Sequence, residues 1–302
     1  MSHLIKLLLS IVIVAVILYK VDFASVWQLM LSANPWMLLG ALFFQILSYI
    51  VAAYRWYLIM QLLAFKHRFF FYLQSYFKGA LFNQVLPTSI GGDAYRVMEV
   101  ASKGGLAKEA FYGVFIDRIV GLVGLLILNF FANLFEHNLL PREVFYGINF
   151  ITLAAILGLM VLMALHKFPI LERYKATRLF FELSHRFRFI YKTPIRIFQQ
   201  IGLSILIHFF SIFAIFGIGH SVGINEPIDV FLILVPPALL LTLLPISFAG
   251  WGVREGALVG LFMLIGIPKA QVLATSLLYG IILILSSLPG LYFYLKSQHK
   301  YL

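Results

Sequence analysis

The sequence predicts an all-α fold, a polytopic helical membrane protein with about six spanning helices and two re-entrant, broken-helix hairpins in an inverted repeat. Three observations lead there. The composition is too apolar for a water-soluble domain, long apolar runs recur along the whole chain, and two of those runs break at matching places 158 residues apart. Of the 302 residues 62% are hydrophobic and 12% charged, and mean hydropathy is +0.96. Soluble domains carry roughly 25% charge. Lipid therefore acts as the solvent, and the length accommodates six to eight segments of about 20 residues each.

The formal charge of +11 would suit nucleic acid or an anionic surface. The basic residues instead sit at helix ends and between apolar runs, the pattern of cytoplasmic loops. Nucleic acid is therefore not expected as a partner, whereas anionic lipid head groups are. The absence of cysteine excludes disulfides, thiolate chemistry and zinc–sulfur sites. The eight histidines lack metal-ligand spacing, so no metal or other cofactor is expected.

Lys6 and the run Leu7–Leu18 resemble a signal peptide, but Tyr19-Lys20-Val21-Asp22 offers no small-residue cleavage site. An uncleaved first helix over about Leu4–Tyr19 is expected. Phe23–Ser32, with Trp27 among apolar residues, suits the membrane interface. Pro35 is placed to open the second helix, which runs to about Leu63 and is closed by Lys66-His67-Arg68. The aromatic run Phe69–Phe82 stops at Asn83–Asp93 and resumes over Ala94–Ala101. Further helices are expected at about Ala107–Leu134 and Val144–Leu165.

Residues 166–196 are read as a cytoplasmic basic amphipathic loop, with Leu179, Phe180, Leu183 and Phe187 at helical spacing; a solvated connector is the alternative. Ile197–Val222 forms the next helix. Val230–Leu244 enters again, stops at Pro245–Gly252 and resumes to about Ile265, and Val272–Leu295 closes the chain. With the basic loop inside, both termini fall on the cytoplasmic side if Phe69–Ala101 and Val230–Ile265 are hairpins rather than spans. If both spanned, eight or more crossings would result. The chain is thus one transmembrane domain, 1–302, with repeat units at 36–135 and 197–295.

The two breaks read A-L-F-N-Q-V-L-P-T-S-I-G-G-D-A-Y-R from Ala80 and A-L-L-L-T-L-L-P-I-S-F-A-G-W-G-V-R from Ala238. Seven of 17 positions agree, including Pro87/Pro245, Ser89/Ser247, Gly92/Gly250 and Arg96/Arg254. Leucine and alanine matches mean little in so apolar a chain; proline, serine, glycine and arginine matches in register mean more. Two proline kinks in a structural bundle are the alternative. A broken helix in lipid leaves backbone groups unpaired at several kcal/mol each, so breaks persist where protein or a wet cavity satisfies them. The amides that open a resumed half-helix also favour an anion. Asp93, Arg96, Arg254 and Glu255 lie in or just after the breaks, and Asp117-Arg118 lies about 15 Å into its helix. Such charges normally face a cavity or each other, and Asp93 and Arg96 are spaced to pair across one turn. A purely structural ion pair is the alternative for Asp117 and Arg118. Asn83 is a further polar candidate, and His208 reads as a packed, hydrogen-bonded histidine.

N-x-x-L-P-x-S-x-G-G-D-x-x-R (Asn83–Arg96), D-R-x-x-G-L (Asp117–Leu122) and P-x-S-x-x-G-x-G-x-R-E (Pro245–Glu255) resemble the flippase-like family that forms the transmembrane region of lysylphosphatidylglycerol synthases. The resemblance spans nearly the whole chain. It implies a multi-pass protein of the bacterial cytoplasmic (inner) membrane that moves a lipid between leaflets. That lipid would be an anionic or aminoacylated phospholipid, or a polyprenyl-linked one. The chain ends at Leu302, so the aminoacyl-transferase domain of bifunctional members, and its activity, are not expected. The implied ligand site gathers Asn83, Ser89, Gly91, Gly92, Asp93, Arg96, Asp117, Arg118, Ser247, Gly250, Gly252, Arg254 and Glu255. Arg96 and Arg254, with Arg118 as a further candidate, would hold the lipid phosphate, since guanidinium matches its oxygens bidentately, and Asp93, Asp117 and Glu255 would hold those arginines in place or meet a cationic head group. The alternatives are a membrane-embedded glycosyl- or lipid-transferase and an accessory subunit of a lipid or glycan pathway. A homo-oligomer is left open.

Overall fold

The computed structural model describes residues 22–86, 91–104, 106–135, 139–242 and 250–298. The expected helix Leu4–Tyr19 lies outside them. So do the tips of both breaks, residues 87–90 and 243–249, with Ser89 and Ser247. Among the described residues every regular element is helical. In chain order they are α1 (Phe23–Ser32), α2 (Pro35–Leu62), α3 (Phe69–Val85), α4 (Gly91–Ser102), α5 (Ala107–Phe135) and α6 (Arg142–Ala164). A 3-10 turn (Leu165–Lys167) leads to α7 (Ile170–Arg173), α8 (Lys175–Ile190), α9 (Pro194–Ser221), α10 (Ile228–Thr242), α11 (Val253–Met263) and α12 (Lys269–Gln298).

Five of these are long and apolar enough to cross a membrane: α2, α5, α6 with its 3-10 turn, α9 and α12. At 1.5 Å per residue, a 28-residue helix reaches about 42 Å, which spans a hydrocarbon core of about 30 Å with room to tilt. Local chemistry sets their starts. Asn34 caps α2, its Oδ1 accepting the Trp36 amide at 2.9 Å, and Pro35 follows in the first turn. Pro194 likewise opens α9, so that helix begins three residues before the expected Ile197 and takes in the end of the basic loop. A helix needs no apolar residue in its first turn, which is why an apolar window misses that boundary.

Both interrupted segments form antiparallel helix pairs. In the first, the Asn83 Oδ1 accepts the Gly92 amide at 2.8 Å, Phe82 stacks on Tyr95, and Lys78 pairs with Glu99. Residue numbers fall along α3 as they rise along α4. The break is shorter than the expected Asn83–Asp93: Asn83 stays in the last turn of α3, and Gly91 already opens α4. Gly92 permits this, since a Cβ there would collide with the Gly79 carbonyl. In the second pair Phe231 meets Phe262 at 5.2 Å between ring centroids, and Gly250 lies beside Thr242. Here Gly250 and Gly252 have φ of 83° and 85° and stay outside α11, whereas Gly91 and Gly92 are helical.

The bundle is centred on α9, which packs along α2 and α5, while α12 packs along α3. Gly290 is what brings α12 so close, because a Cβ there would collide with the Phe77 carbonyl oxygen. Small residues at helix crossings serve the same purpose in membrane proteins generally. By contrast α6 stands at the edge, with Thr152 its one buried residue.

On one side of the bundle α8 docks with Leu183, Phe187 and Ile190 against Ile59, Tyr112 and Ile116. Glu182 accepts hydrogen bonds from Lys108 Nζ (2.8 Å), the Tyr112 hydroxyl (2.7 Å) and Arg178 Nε (3.0 Å), and Arg186 pairs with Glu109. Leu183 and Phe187 of the expected amphipathic face thus point into the protein, while Leu179 and Phe180 stay exposed.

Two outcomes follow. Gly290→Ala should force α12 off α3 and cost about 1–3 kcal/mol, read as a lower thermal midpoint in detergent. Glu182 supplies the second. Burial pushes its carboxyl up, but the hydrogen bonds from Lys108, Tyr112 and Arg178 outweigh this and hold it at about 2. A depressed carboxylate stabilises docking above its ordinary value of 4.5, and that contribution is lost as pH falls toward about 2. Energy transfer between labels at Phe189→Cys and Lys103→Cys should hold steady down to about pH 4.5 and change below it.

Candidate functional site

Asp117 on α5 is buried and shared by two arginines. Arg55 Nε of α2 reaches its Oδ1 at 2.9 Å, and Arg96 Nη2 of α4 reaches its Oδ2 at 2.8 Å. Arg55 also donates to the Asp117 carbonyl (2.9 Å) and to the Ser204 hydroxyl on α9 (2.8 Å). Arg96 continues the chain of charges to Asp93, one turn away, at 3.2 Å, and Asp93 pairs with Arg118. The Arg96 guanidinium lies 4.0 Å from the Trp56 ring centroid and 4.9 Å from that of Tyr76. Its Nε has no hydrogen-bond partner among the described residues.

These charges line a cavity of about 940 Å³. Its polar lining includes Arg55, Asn83, Gln84, Asp93, Arg96, Asp117, Arg118, His208 and Thr242. Most of the remaining wall is apolar, including Val97, Met98, Phe111, Phe115 and Leu125. Three arginines against two aspartates leave a single net positive charge among the described side chains of this cluster. Arg118 is the most open of its charged members, with its side chain about one-third exposed (32%). His208 is fixed to the bundle through Nε2, 2.8 Å from the Gly121 carbonyl.

Arg254 and Glu255 form a second buried cluster. Arg254 Nη2 donates to Glu255 Oε1 at 2.6 Å, and Ser276 of α12 bonds both residues. The other Glu255 oxygen accepts the Gly252 amide at 2.5 Å, capping α11. The Arg254 guanidinium lies 4.9 Å from the Trp251 ring and 5.7 Å from that of Tyr279.

Of the residues named from sequence, Asn83, Asp93, Arg96, Asp117 and Arg118 come together in the cavity lining, and Gly91 and Gly92 form the first residues of α4, where the Gly92 amide bonds Asn83. Gly250, Gly252, Arg254 and Glu255 do not line that cavity. Of the amides that open α4, that of Gly92 donates to Asn83 Oδ1. Arg55 and Ser204 escaped sequence reading, as did the buried pair of Lys78 and Glu99. Arg55 carried a readable signal, a lone cation some two turns from the end of an apolar helix. Among the described residues no group of three His, Asp or Glu is set to hold a metal.

Fold and site together define a multi-pass α-helical membrane protein whose helices enclose a charged cavity. The chain belongs to the family described as lysylphosphatidylglycerol synthase TM region, whose model matches residues 3–290. The matched part is the transmembrane region and not the aminoacyl-transferase domain. A search of curated proteins found no match.

Removing one partner of a buried pair leaves an uncompensated charge and typically costs 3–5 kcal/mol. Asp117→Asn should therefore lower the thermal midpoint strongly. Asp93→Asn, at the more open end, should cost less.

Proposed function

We propose that this protein moves a lipid with a phosphate-bearing head group between the two leaflets, using the cavity among α3, α4, α5 and α9. The observation that carries the reading is the cavity wall itself, where a net positive cluster sits inside apolar helices. Charges at that depth are costly and mark ligand paths in membrane proteins. A soluble anion would have no use for so much apolar lining, whereas a lipid has both a charged head and apolar chains.

Arg118 is assigned the head-group phosphate, with Asp93 orienting it or meeting a cationic head. Arg55, Asp117 and Ser204 act as positioning residues behind that wall. Arg254 and Glu255 serve as the corresponding charged pair of the second hairpin, fixing α11 to α12 rather than lining the cavity.

The topology that serves this role has six spans, counting Leu4–Tyr19, and two re-entrant hairpins. Units 36–135 and 197–295 form the inverted repeat, residues 166–196 lie on the cytoplasmic side of the cytoplasmic membrane, and both termini are there too. The antiparallel hairpins support it. Shifting Gly92 by the 158-residue offset lands on Gly250, and each glycine packs on the end of the preceding limb, against Asn83 and Thr242 respectively. Inverted repeats with broken helices at the midplane are a recurring transporter design, in which one repeat rocks against the other.

In proteoliposomes carrying a labelled phospholipid, Arg118→Gln and Asp93→Asn should slow leaflet exchange about tenfold or more, the effect of losing a charge-assisted contact. Wild-type rates from both correctly folded variants would remove the assignment.

A further inference from the structure

Two consecutive prolines, Pro236 and Pro237, lie inside α10. Proline has no amide hydrogen, so each leaves the carbonyl four residues before it without its helical donor. The carbonyls concerned are those of Leu232 and Ile233. Ile233, Leu234 and Val235 are fully buried, and in a membrane interior another group must satisfy what the helix cannot.

That group is Asn129 of α5. Its Nδ2 donates to the Leu232 carbonyl at 3.2 Å and to the Ile233 carbonyl at 2.9 Å. A side-chain amide nitrogen carries two hydrogens, so one residue replaces both missing donors. Asn133, one turn further along α5, steadies it: Asn133 Nδ2 donates to the Asn129 carbonyl at 2.9 Å and to its Oδ1 at 3.2 Å. Both asparagines are buried, and neither lines the charged cavity.

The part of α10 beyond the prolines does line it. Leu239 and Thr242, three residues apart on one face of the helix, belong to the cavity wall. The limb Ala238–Thr242 therefore joins the rest of α10 where two backbone hydrogen bonds are missing. Helices bend sharply mostly at such places. The first hairpin is built otherwise. At the 158-residue offset α3 carries Lys78 and Gly79, contains no proline, and is tied to α4 through Lys78 and Glu99.

We infer that Pro236 and Pro237 form a hinge at which Ala238–Thr242 moves against the cavity, and that Asn129 is the latch holding this limb in the observed position. Stability alone does not call for the combination. Alanine at 236 and 237 would restore both helical bonds, and leucine at 129 would then pack without a polar group. Prolines with an asparagine opposite suit a helix that must bend and still return to one position. The latch is neutral, so its bonds break and re-form without stranding a buried charge. The hinge does not depend on which ligand the cavity takes.

The chain has no cysteine of its own, so paired spin labels can be placed freely. Leu241→Cys on the limb with Leu206→Cys on α9 gives a limb distance, and Leu206→Cys with Leu288→Cys on α12 gives a control distance; all three leucines are exposed. Both are measured by electron paramagnetic resonance on the full chain in lipid nanodiscs. A change of about 20° at the end of an arm of about 6 Å displaces Leu241 by about 2 Å. Asn129→Leu should broaden the limb distance by about that much. Pro236→Ala with Pro237→Ala should leave it narrower than in the wild type, and adding Asn129→Leu to those alanines should change nothing further. The control distance should stay the same throughout. If Asn129→Leu alone does not fold, the triple variant should, because its helix satisfies its own carbonyls. The hinge is overturned by an unchanged limb distance in Asn129→Leu, or by a double-alanine protein as broad as the wild type. Equal broadening of the control distance, or a triple variant that stays broad or fails to fold, overturns it as well.

Discussion

One carboxylate in a low-dielectric interior holds two guanidinium groups, and the arrangement of four helices depends on it. Asp117 takes Arg55 on one oxygen and Arg96 on the other, and Arg55 ties the pair to Ser204. Through those contacts α2, α4, α5 and α9 are set at one depth and in one rotation. Each charge alone would be expensive to bury, and the pairing offsets that cost only while every partner is present. The network therefore specifies geometry more than it adds stability. Arginine suits the task, because it stays protonated in any environment and its planar fork can satisfy two acceptors at once.

The cavity is the consequence of this arrangement. Close contact of Gly92 with Gly79 draws α4 against α3 and turns Arg96 inward, onto Trp56 and Tyr76. With Arg55 and Arg96 both committed to Asp117, the remaining charges of the cluster, Asp93 and Arg118, lie at its more open end. The chain thus separates a fixed inner pairing from an outer pairing that faces the space a ligand would fill. The second hairpin repeats the theme in different terms: Arg254 is held by an adjacent glutamate that also caps its helix. Its charges close on themselves beside α12.

Much of this was legible in the residues. Composition and the length of the apolar runs gave the membrane class and the long helices, because those depend on local hydropathy. The antiparallel breaks were readable from proline and glycine placed between apolar runs, and Asp93 with Arg96 from their one-turn spacing. Arg55 showed only as a lone cation two turns inside an apolar helix, and its role was hidden because its partner Asp117 lies 62 residues away in the chain. The division of labour between Arg96 and Arg254 was hidden too. Their matching positions suggested matching roles, but the residue after each differs: Arg254 is followed by Glu255 and Arg96 by Val97. Arg254 therefore finds its counter-ion next door, while Arg96 must reach across to α5. The close approach of α12 to α3 at Gly290 likewise depends on what lies opposite, not on the local sequence.

Whether the charged cavity holds a phosphate-bearing lipid head is open to direct measurement. Native mass spectrometry of the protein released from detergent micelles tests it most directly, by comparing the wild type with Arg118→Gln. A phospholipid should stay bound to the wild type under activation that strips detergent, and the variant should lose it under the same conditions. Equal retention in both proteins, or a wild type that emerges without lipid, would contradict it.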